Sequence, residues 1–374
     1  MNSPLRIALI GTGMIAAVHL RAARDAGAAV VGVLASRPDK SRQVAETWCV
    51  PTGYRDLDAL VHDRPDVVHV CTPNSTHVRY AQALVDAGIN VIVEKPIATT
   101  VADAEHLAAS VETAGVVASV PYVYRYHPLI REIRARRAAG EFGDVALVHG
   151  SYLQDWLCSP DASTWRVDPR HGGGSRAFGD IGTHWCDLAE FVSGEVFTEV
   201  SAATTITYPT RPARSVASFA GPAAADERVE VSTEDTAVAL FRTARGITAN
   251  TVISQVSAGR KNRLWLEIDG TRGSAVFDQE NPETAWLGTE HGTLTLHRGE
   301  GTVAPEQARL NRTPPGHAQG WTDAFAAFVA DTYAAVRGEH PEGLPTIRDG
   351  LRSVHLIDAV LRSASTGAWA RIDA

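Results

Sequence analysis

The alternation of apolar and polar positions changes period along this chain of 374 residues. In the first third, short runs of consecutive apolar, often β-branched residues alternate with stretches of helical period. The runs are "LRIALIG" (5–11), "AVVGVLAS" (29–36), "DVVHVCTP" (66–73), "NVIVEKP" (90–96) and "GVVASVPY" (115–122). A strand that is apolar at nearly every position is buried on both faces, as in a parallel sheet covered by helices. Helical segments at 14–27, 39–47, 76–87 and 101–113 fall between the runs. Gly27, Gly88 and Gly115 stand where a left-handed helix cap is expected. This order predicts a βα-alternating domain.

From residue 144 the pattern changes. "DVALVHGSYLQ", "TEVSAATTITY", "DTAVALFRT", "GITANTVISQVS" and "LWLEIDG" follow one another without regular helices, so antiparallel pairing is expected. One helix, 179–193, interrupts them, and "PARSVASFAGPAAADERVE" (212–230) reads as a loop. That helix carries an apolar stripe with Phe178, Ile181, Trp185, Leu188 and Phe191 on or beside it. Yet Asp180 and His184 lie four apart on one face, with Asp187 nearby. Two readings stand from these residues alone. Asp180 complements the positive helix start and His184 is a core histidine, or the pair does chemistry.

Length allows two domains with sizeable cores. A net charge of -8 argues against a nucleic-acid partner. The one basic cluster, "REIRARRAA" (131–139), reads as a solvated helix face. Cys49, Cys71, Cys158 and Cys186 match no metal or disulfide spacing, so no metal site is expected and a reducing compartment fits. Cys71, in an apolar strand, reads as a core residue. The N-terminus enters a strand almost at once, and no apolar run reaches membrane-spanning length. The expectation is a cytoplasmic protein with no membrane partner.

The first turn reads "GTGMIA" (11–16), the G-x-G-x-x-A form of a dinucleotide fingerprint between a strand and a helix. Gly11 permits the turn, Gly13 admits a pyrophosphate, and Ala16 lets helix and strand pack. Thr12, Met14 and Ile15 complete a cradle at the helix N-terminus. The second strand ends in Ser36 and Arg37, with Lys40 beyond, where NAD sites usually place an acid. A hydroxyl and a guanidinium suit a 2′-phosphate, which favours NADP. An Arg37 stacked on adenine would serve either cofactor. Thr72, Pro73 and Asn74 end the third strand at the ligand-facing edge of such sheets, ahead of a helix capped by Ser75 or Thr76. His77 starts that helix or borders the nicotinamide. Glu94 and Lys95 end the fourth strand before Pro96. A lysine there supplies a cation that orients a substrate hydroxyl and stabilises a developing alkoxide.

"GTGMIAAVH", "CTPNSTH", "VEKPIA" and "GDIGTHWCDL", in this order, resemble the Gfo/Idh/MocA family of nicotinamide-dependent oxidoreductases. "GTRGSAVFD" (270–278) and "TIRDGLRSVHLIDAV" (346–360) extend the resemblance along the chain. It implies an N-terminal α/β Rossmann domain, 1–123. An α+β domain with a large open, mostly antiparallel sheet follows, 124–374, for substrate binding and oligomerisation. The last helix packs back toward the first domain, and the chain forms a homodimer or homotetramer. It further implies that Lys95, Asp180 and His184 are catalytic. His184 moves the proton as hydride moves to or from NAD(P), Lys95 orients the substrate oxygen, and Asp180 holds the substrate or the site.

"GSYLQDWLCSPDASTWRVDPRHGGGSRAFGDIGTHWCD" is similar to a sugar-acting, levoglucosan dehydrogenase-like branch of that family. Hydrogen-bonding side chains mixed with flat aromatics suit a sugar, anhydrosugar or cyclitol. Strand alternation puts Tyr152, Gln154 and Trp156 on one side and Asp155 on the other. Gln154 and Trp156 are therefore the first candidates, with Trp165, Arg166, Tyr124, Arg125 and His317 as further substrate-binding candidates. Two alternatives stand beside the dehydrogenase or ketosugar reductase. One is a glycosidase that keeps NAD bound and uses transient redox chemistry. The other is a non-catalytic cofactor-binding sensor, which would have no need of a proton-transfer group.

Overall fold

The computed structural model describes residues 3–213, 227–301 and 303–373. The chain divides into two compact units. Residues 1–121 with 325–354 form the first, and 122–324 with 355–374 form the second.

The first unit is a six-stranded parallel sheet. Its strands are β1 (Arg6–Ile10), β2 (Ala29–Leu34), β3 (Thr52–Gly53), β4 (Val67–Val70), β5 (Asn90–Val93) and β6 (Ala118–Ser119), in the order β3-β2-β1-β4-β5-β6. The order reverses between β1 and β4, and ligands of such sheets bind at that switch point. Helices α1 (Met14–Asp25), α2 (Pro38–Trp48), α3 (Leu57–Asp63), α4 (His77–Asp86) and α5 (Val101–Ala114) connect the strands. β4 and most of β5 are buried at every position, as their unbroken apolar runs require. β3 has two residues and left no periodic signal.

The second unit holds a nine-stranded mixed sheet. Before its first strand comes helix α6 (Pro128–Ala138). The strands are β7 (Val145–Leu153), β8 (Phe197–Thr205), β11 (Thr236–Thr243), β12 (Thr248–Ser254), β13 (Arg263–Gly270), β14 (Ser274–Asp278), β15 (Thr284–Thr289), β16 (Gly292–His297) and β17 (Ala370–Arg371). Their order is β16-β15-β14-β13-β7-β12-β11-β8-β17, and every pairing is antiparallel except β7 with β12. Helices α7 (Pro169–Gly172), α8 (Thr183–Ser193) and α9 (Pro305–Leu310) also lie in this unit. Helices α10 (Trp321–Val336) and α11 (Ile347–Thr366) each run from one unit's residues into the other's.

Packing of α8 on the sheet fixes where the site can be. Trp185 is fully buried and donates its indole N–H to the Trp265 carbonyl at 3.0 Å. Gly150 makes room for this. A Cβ there would lie 2.0 Å from the Trp265 oxygen and 2.6 Å from the Trp185 indole nitrogen. Trp185 also stacks on Phe197, which stacks on Phe241, in the main apolar core.

Three sequence expectations need correction. The helix expected over 179–193 is not uniform: Phe178–Gly182 form a π-helical turn before α8 begins at Thr183. The basic stretch 131–139 is not a solvated face. Arg131 is buried, donates to the Arg125 carbonyl at 2.6 Å, and lies over the Tyr126 and Phe191 rings. The Arg134 and Arg137 guanidiniums donate to the Phe191 and Val192 carbonyls near the end of α8. Cations suit the C-terminal end of a helix dipole. The ends of the expected loop 212–230 are strand: β9 (Thr210–Pro212) pairs with β10 (Arg228–Glu230). The rest of that loop, 214–226, lies outside the described residues.

Candidate active site

In the first unit, β1 delivers the chain into a turn at Gly11, whose φ is +113°. A Cβ there would meet the Cys71 carbonyl oxygen at 2.4 Å, so only glycine passes. Gly13 caps α1 with no side-chain bond, and a Cβ on it would meet nothing within 4 Å. Open space thus lies beside backbone amides at a helix N-terminus, where the dipole favours an anion. Ala16 is fully buried under the helix. Thr12 and Ile15 are partly buried and Met14 is exposed on the same turn. These residues fit a pyrophosphate.

At the end of β2, Ser36 and Arg37 are exposed, and Arg37 pairs with Asp39 at 3.2 Å. Thr72, Pro73 and Asn74 follow β4 and are half-buried, and Thr76 donates its hydroxyl to that of Thr72 at 2.7 Å. The structure turns His77 inward. Its ring is fully buried and bridges the Pro96 and Thr72 carbonyl oxygens, each at 2.8 Å. It ties the loop after β4 to the loop after β5, and burial pushes it below its ordinary pKa against the pull of those carbonyls. Glu94 is also buried, with one oxygen 3.2 Å from His19 and the other accepting the Lys95 N–H at 3.1 Å. Lys95 leaves the sheet edge half-buried.

In the second unit, the π-helical turn sets Asp180 beside α8, and such turns recur at functional sites. The segment leading into it is pinned by Glu234. This buried carboxylate accepts the Ser175 hydroxyl at 2.7 Å and the Arg176 and Phe178 amides at 3.0 and 2.9 Å. Asp180 accepts the Gln255 side-chain N–H at 2.9 Å and lies 3.5 Å from the Arg166 guanidinium. His184, half-buried in the first turn of α8, is ringed edge-on by Tyr122 and Tyr124 at 5.5 and 5.4 Å between centroids. The Tyr152 ring is 6.4 Å away.

Behind His184 is a closed ring of hydrogen bonds. Tyr152 donates to Asn262 Oδ1 at 2.7 Å, and Asn262 Nδ2 donates to the Tyr124 hydroxyl at 3.1 Å. Tyr124 therefore donates to Tyr152, 2.6 Å away. Gln154 Nε2 joins at Asn262 Oδ1 at 2.9 Å, and its Oε1 accepts the Trp156 indole N–H at 2.7 Å. Burial holds the Tyr124 and Tyr152 phenols above their ordinary range, so both stay protonated donors. Arg166 lies over the Trp165 and Trp156 rings at 4.5 and 5.8 Å. This unit therefore brings Gln154, Trp156, Trp165, Arg166, Tyr124, Asp180 and His184 into one linked group.

Asp155 points elsewhere and pairs with Lys261 at 2.6 Å; β7 ends at Leu153, so strand alternation does not govern residues 154–156. Arg125 is not offered to a pocket. It forks onto Asp187 and lies 4.9 Å from the Phe191 ring centroid, both on α8. His317 is exposed, and its carbonyl accepts from Arg298 at 2.8 Å. Sequence reading missed Gln255, Asn262, Glu234 and Tyr122. None sits in a motif, and only the fold brings the first three to this wall.

The reversed parallel sheet and the glycine cradle define a dinucleotide-binding α/β protein. Residues 5–122 match the "Oxidoreductase family, NAD-binding Rossmann fold", and residues 130–276 match the "GFO/IDH/MocA C-terminal domain". The chain belongs to the Gfo/Idh/MocA oxidoreductase family. It is 28% identical to the levoglucosan dehydrogenase of Pseudarthrobacter phenanthrenivorans over 89% of this chain and 87% of that one. The crystal structure of an oxidoreductase domain protein from Kribbella flavida superposes with a TM-score of 0.90, at 32% identity over 100% of both chains. A levoglucosan dehydrogenase in complex with NADH and L-sorbose gives 0.89, at 25% identity over 99% of both. No described helix is long and apolar enough to cross a membrane.

Proposed function

We propose that this protein moves a hydride between a nicotinamide dinucleotide and a secondary hydroxyl or ketone of a sugar, anhydrosugar or cyclitol. The carrying observation is the linked wall of the second unit, in which Asp180 and His184 lie among Tyr124, Tyr152, Gln154, Asn262, Trp156 and Arg166. Donors and acceptors mixed with aromatic faces match a hydroxylated ring with apolar C–H faces. The similarity to levoglucosan dehydrogenase points to the same substrate class.

The Gly11–Ile15 cradle, Ser36, Arg37, Thr72, Pro73, Asn74 and Lys95 hold the cofactor, which supplies the hydride acceptor or donor when bound. Lys95 orients the substrate oxygen and favours its developing negative charge. His184 takes the hydroxyl proton and returns it in the reverse direction. Its Nδ1 is buried, which leaves Nε2 for the substrate. Asp180, held by Gln255, accepts a neighbouring hydroxyl. Arg37 at the end of β2, with no acid in its place, favours NADP.

The nine-stranded sheet keeps Val238, Leu240, Val252 and Trp286 exposed on one face. We infer that a second copy covers that face, and light scattering on the purified chain reports the mass.

The test is a panel of sugars, anhydrosugars including levoglucosan, and inositols with NAD⁺ and NADP⁺, read as absorbance of the reduced cofactor. The same ketosugars are run with NADH and NADPH. Turnover that drops about 10²–10⁴-fold in His184→Ala, with cofactor binding kept, supports the reading. Full activity in that variant, or silence in both directions from protein that carries bound nicotinamide, overturns it.

A further inference from the structure

We propose that Glu94 is a positioning residue for Lys95, held from behind by a buried chain of side chains that runs through His19 and His69 to Tyr333. The proposal deepens the reading above and rests on its assignment of Lys95.

The chain crosses the first unit. Glu94 Oε1 lies 3.2 Å from His19 Nε2 on α1. His19 Nδ1 lies 2.9 Å from His69 Nδ1 on β4, and His69 Nε2 lies 2.9 Å from the Tyr333 hydroxyl on α10. His19 and His69 are fully buried, Tyr333 is 1% exposed and Glu94 8%. The His19 ring also packs edge-on against Phe325 at 4.7 Å. Nothing in the proton-transfer chemistry of the site uses this chain, yet it ends on the residue before Lys95.

Its hydrogen positions follow from Glu94. Burial opposes the Glu94 charge. The His19 hydrogen bond and the neighbouring His19, Lys95 and His77 outweigh it, and the carboxyl lies below its usual range. The other titratable group beside it is Cys71, whose thiol burial and Glu94 push well up and so keep protonated. An ionised carboxylate only accepts, so His19 Nε2 carries a hydrogen. Burial and His19 keep His69 neutral. One hydrogen then lies between the two facing Nδ1 atoms, and the Tyr333 hydroxyl serves as donor or acceptor to match.

The mechanical consequence falls on Lys95. Glu94 uses its second oxygen to accept the Lys95 N–H at 3.1 Å. The first oxygen is tied to α1, the helix that opens at the Gly11–Gly13 cradle. The start of Lys95 is thus fixed to the same helix that presents amides to the cofactor phosphates. A misplacement of about 1 Å at a reacting group is enough for a loss of about 100-fold.

Glu94→Gln is the discriminating variant because it keeps shape and both contacts. The Gln oxygen keeps the Lys95 N–H, so its NH₂ faces His19 Nε2 and donates. His19 must then present a bare Nε2 and carry its hydrogen on Nδ1, and His69 carries its own on Nε2 toward Tyr333. Long-range ¹H–¹⁵N spectra of ¹⁵N-histidine-labelled protein read this without any substrate. Wild type is expected to show hydrogen on His19 Nε2, and Glu94→Gln to show it moved to Nδ1.

Turnover on the sugar found in the panel is expected to fall roughly 10- to 100-fold in Glu94→Gln, in kcat rather than in NADH affinity. Tyr333→Phe opens the same chain at its far end and is expected to keep hydrogen on His19 Nε2 and to lose far less turnover. The positioning role is overturned by a bare His19 Nε2 in wild type, by unchanged tautomers or turnover in Glu94→Gln, or by equal losses in both variants. Wild-type turnover in Lys95→Met instead overturns the site reading, and with it the positioning role, whatever the spectra show.

Discussion

Gln255, fully buried on the strand side of the second unit, donates its side-chain N–H to Asp180 at 2.9 Å. Its own backbone amide is held by the Asp235 carbonyl at 3.0 Å. The carboxylate of D-x-x-x-H is thus aimed by a residue 75 positions away in the chain. A hydrogen bond to a charged group is worth about 1.5–3 kcal/mol. Expressed in the transition state, that is roughly 10- to 100-fold in rate. Gln255→Leu is therefore expected to fold, bind NADH and lose kcat/KM by that factor. Steady-state kinetics check it, and wild-type kcat/KM would mean that Asp180 does not depend on Gln255 for its aim.

Arg37 separates the two cofactors. Its side chain is 71% exposed, and its ion pair with Asp39 at 3.2 Å is open to solvent. Such a pair contributes little and leaves the guanidinium available to a 2′-phosphate. Arg37→Ala is expected to raise KM for NADP⁺ about tenfold or more, a loss of about 1.4 kcal/mol, with little change for NAD⁺. Equal changes for both cofactors would mean that Arg37 serves the adenine instead.

Two ion pairs of similar sequence appearance differ in consequence. Arg125 and Asp187 have side chains only 10% and 5% exposed, whereas Lys261, which pairs with Asp155, is 79% exposed. Asp187→Ala leaves a guanidinium buried against Phe191 and is expected to destabilise by about 3–5 kcal/mol. Lys261→Ala is expected to cost less than about 1 kcal/mol. Urea unfolding of both measures the contrast. An Asp187→Ala protein as stable as wild type but with a raised substrate KM would return Arg125 to the substrate pocket.

The longer strands were legible because each shows its own period, whereas the two-residue β3 and β17 were not. β4 reads as a continuous apolar run, and β11 alternates buried and outward positions along its length. The cradle was legible because Gly11 and Gly13 answer a local backbone need. What escaped was set by partners far along the chain. The π-helical turn at Phe178–Gly182 depends on Glu234, which holds its leading amides, and no spacing within the segment shows it. Arg131 looked solvated because its cover, Tyr126 and Phe191, belongs to other elements. Asn262, the hub behind His184, lies in a polar turn that gives no signal until Tyr124, Tyr152 and Gln154 converge on it. His77 and Glu94 were placed at the right edge of the sheet, but a sequence does not say whether a side chain there faces in or out.

His127 carries the clearest pH signature in the fold. It caps α6, its Nδ1 accepting the Leu129 N–H at 3.3 Å, and its ring packs on Phe277 at 4.7 Å. Burial lowers it to about 3, with Glu283 pulling up and Arg298 pushing down. In the unfolded chain a histidine titrates near 6.5. Between those values the unfolded state holds a proton that the folded state refuses, so stability falls as pH drops from about 6.5 toward 3, by about 1.4 kcal/mol per unit. Below about 3 both states are protonated and this loss stops growing. His127→Asn keeps a capping acceptor and removes the titration. Its stability relative to wild type is expected to improve by about 2 kcal/mol between pH 7 and pH 5. Buried His69, lowered in the same direction, leaves part of the acid sensitivity in the variant. Urea unfolding at the two pH values decides it. Parallel losses in both proteins would mean that His127 accepts a proton in the fold and that acid acts elsewhere.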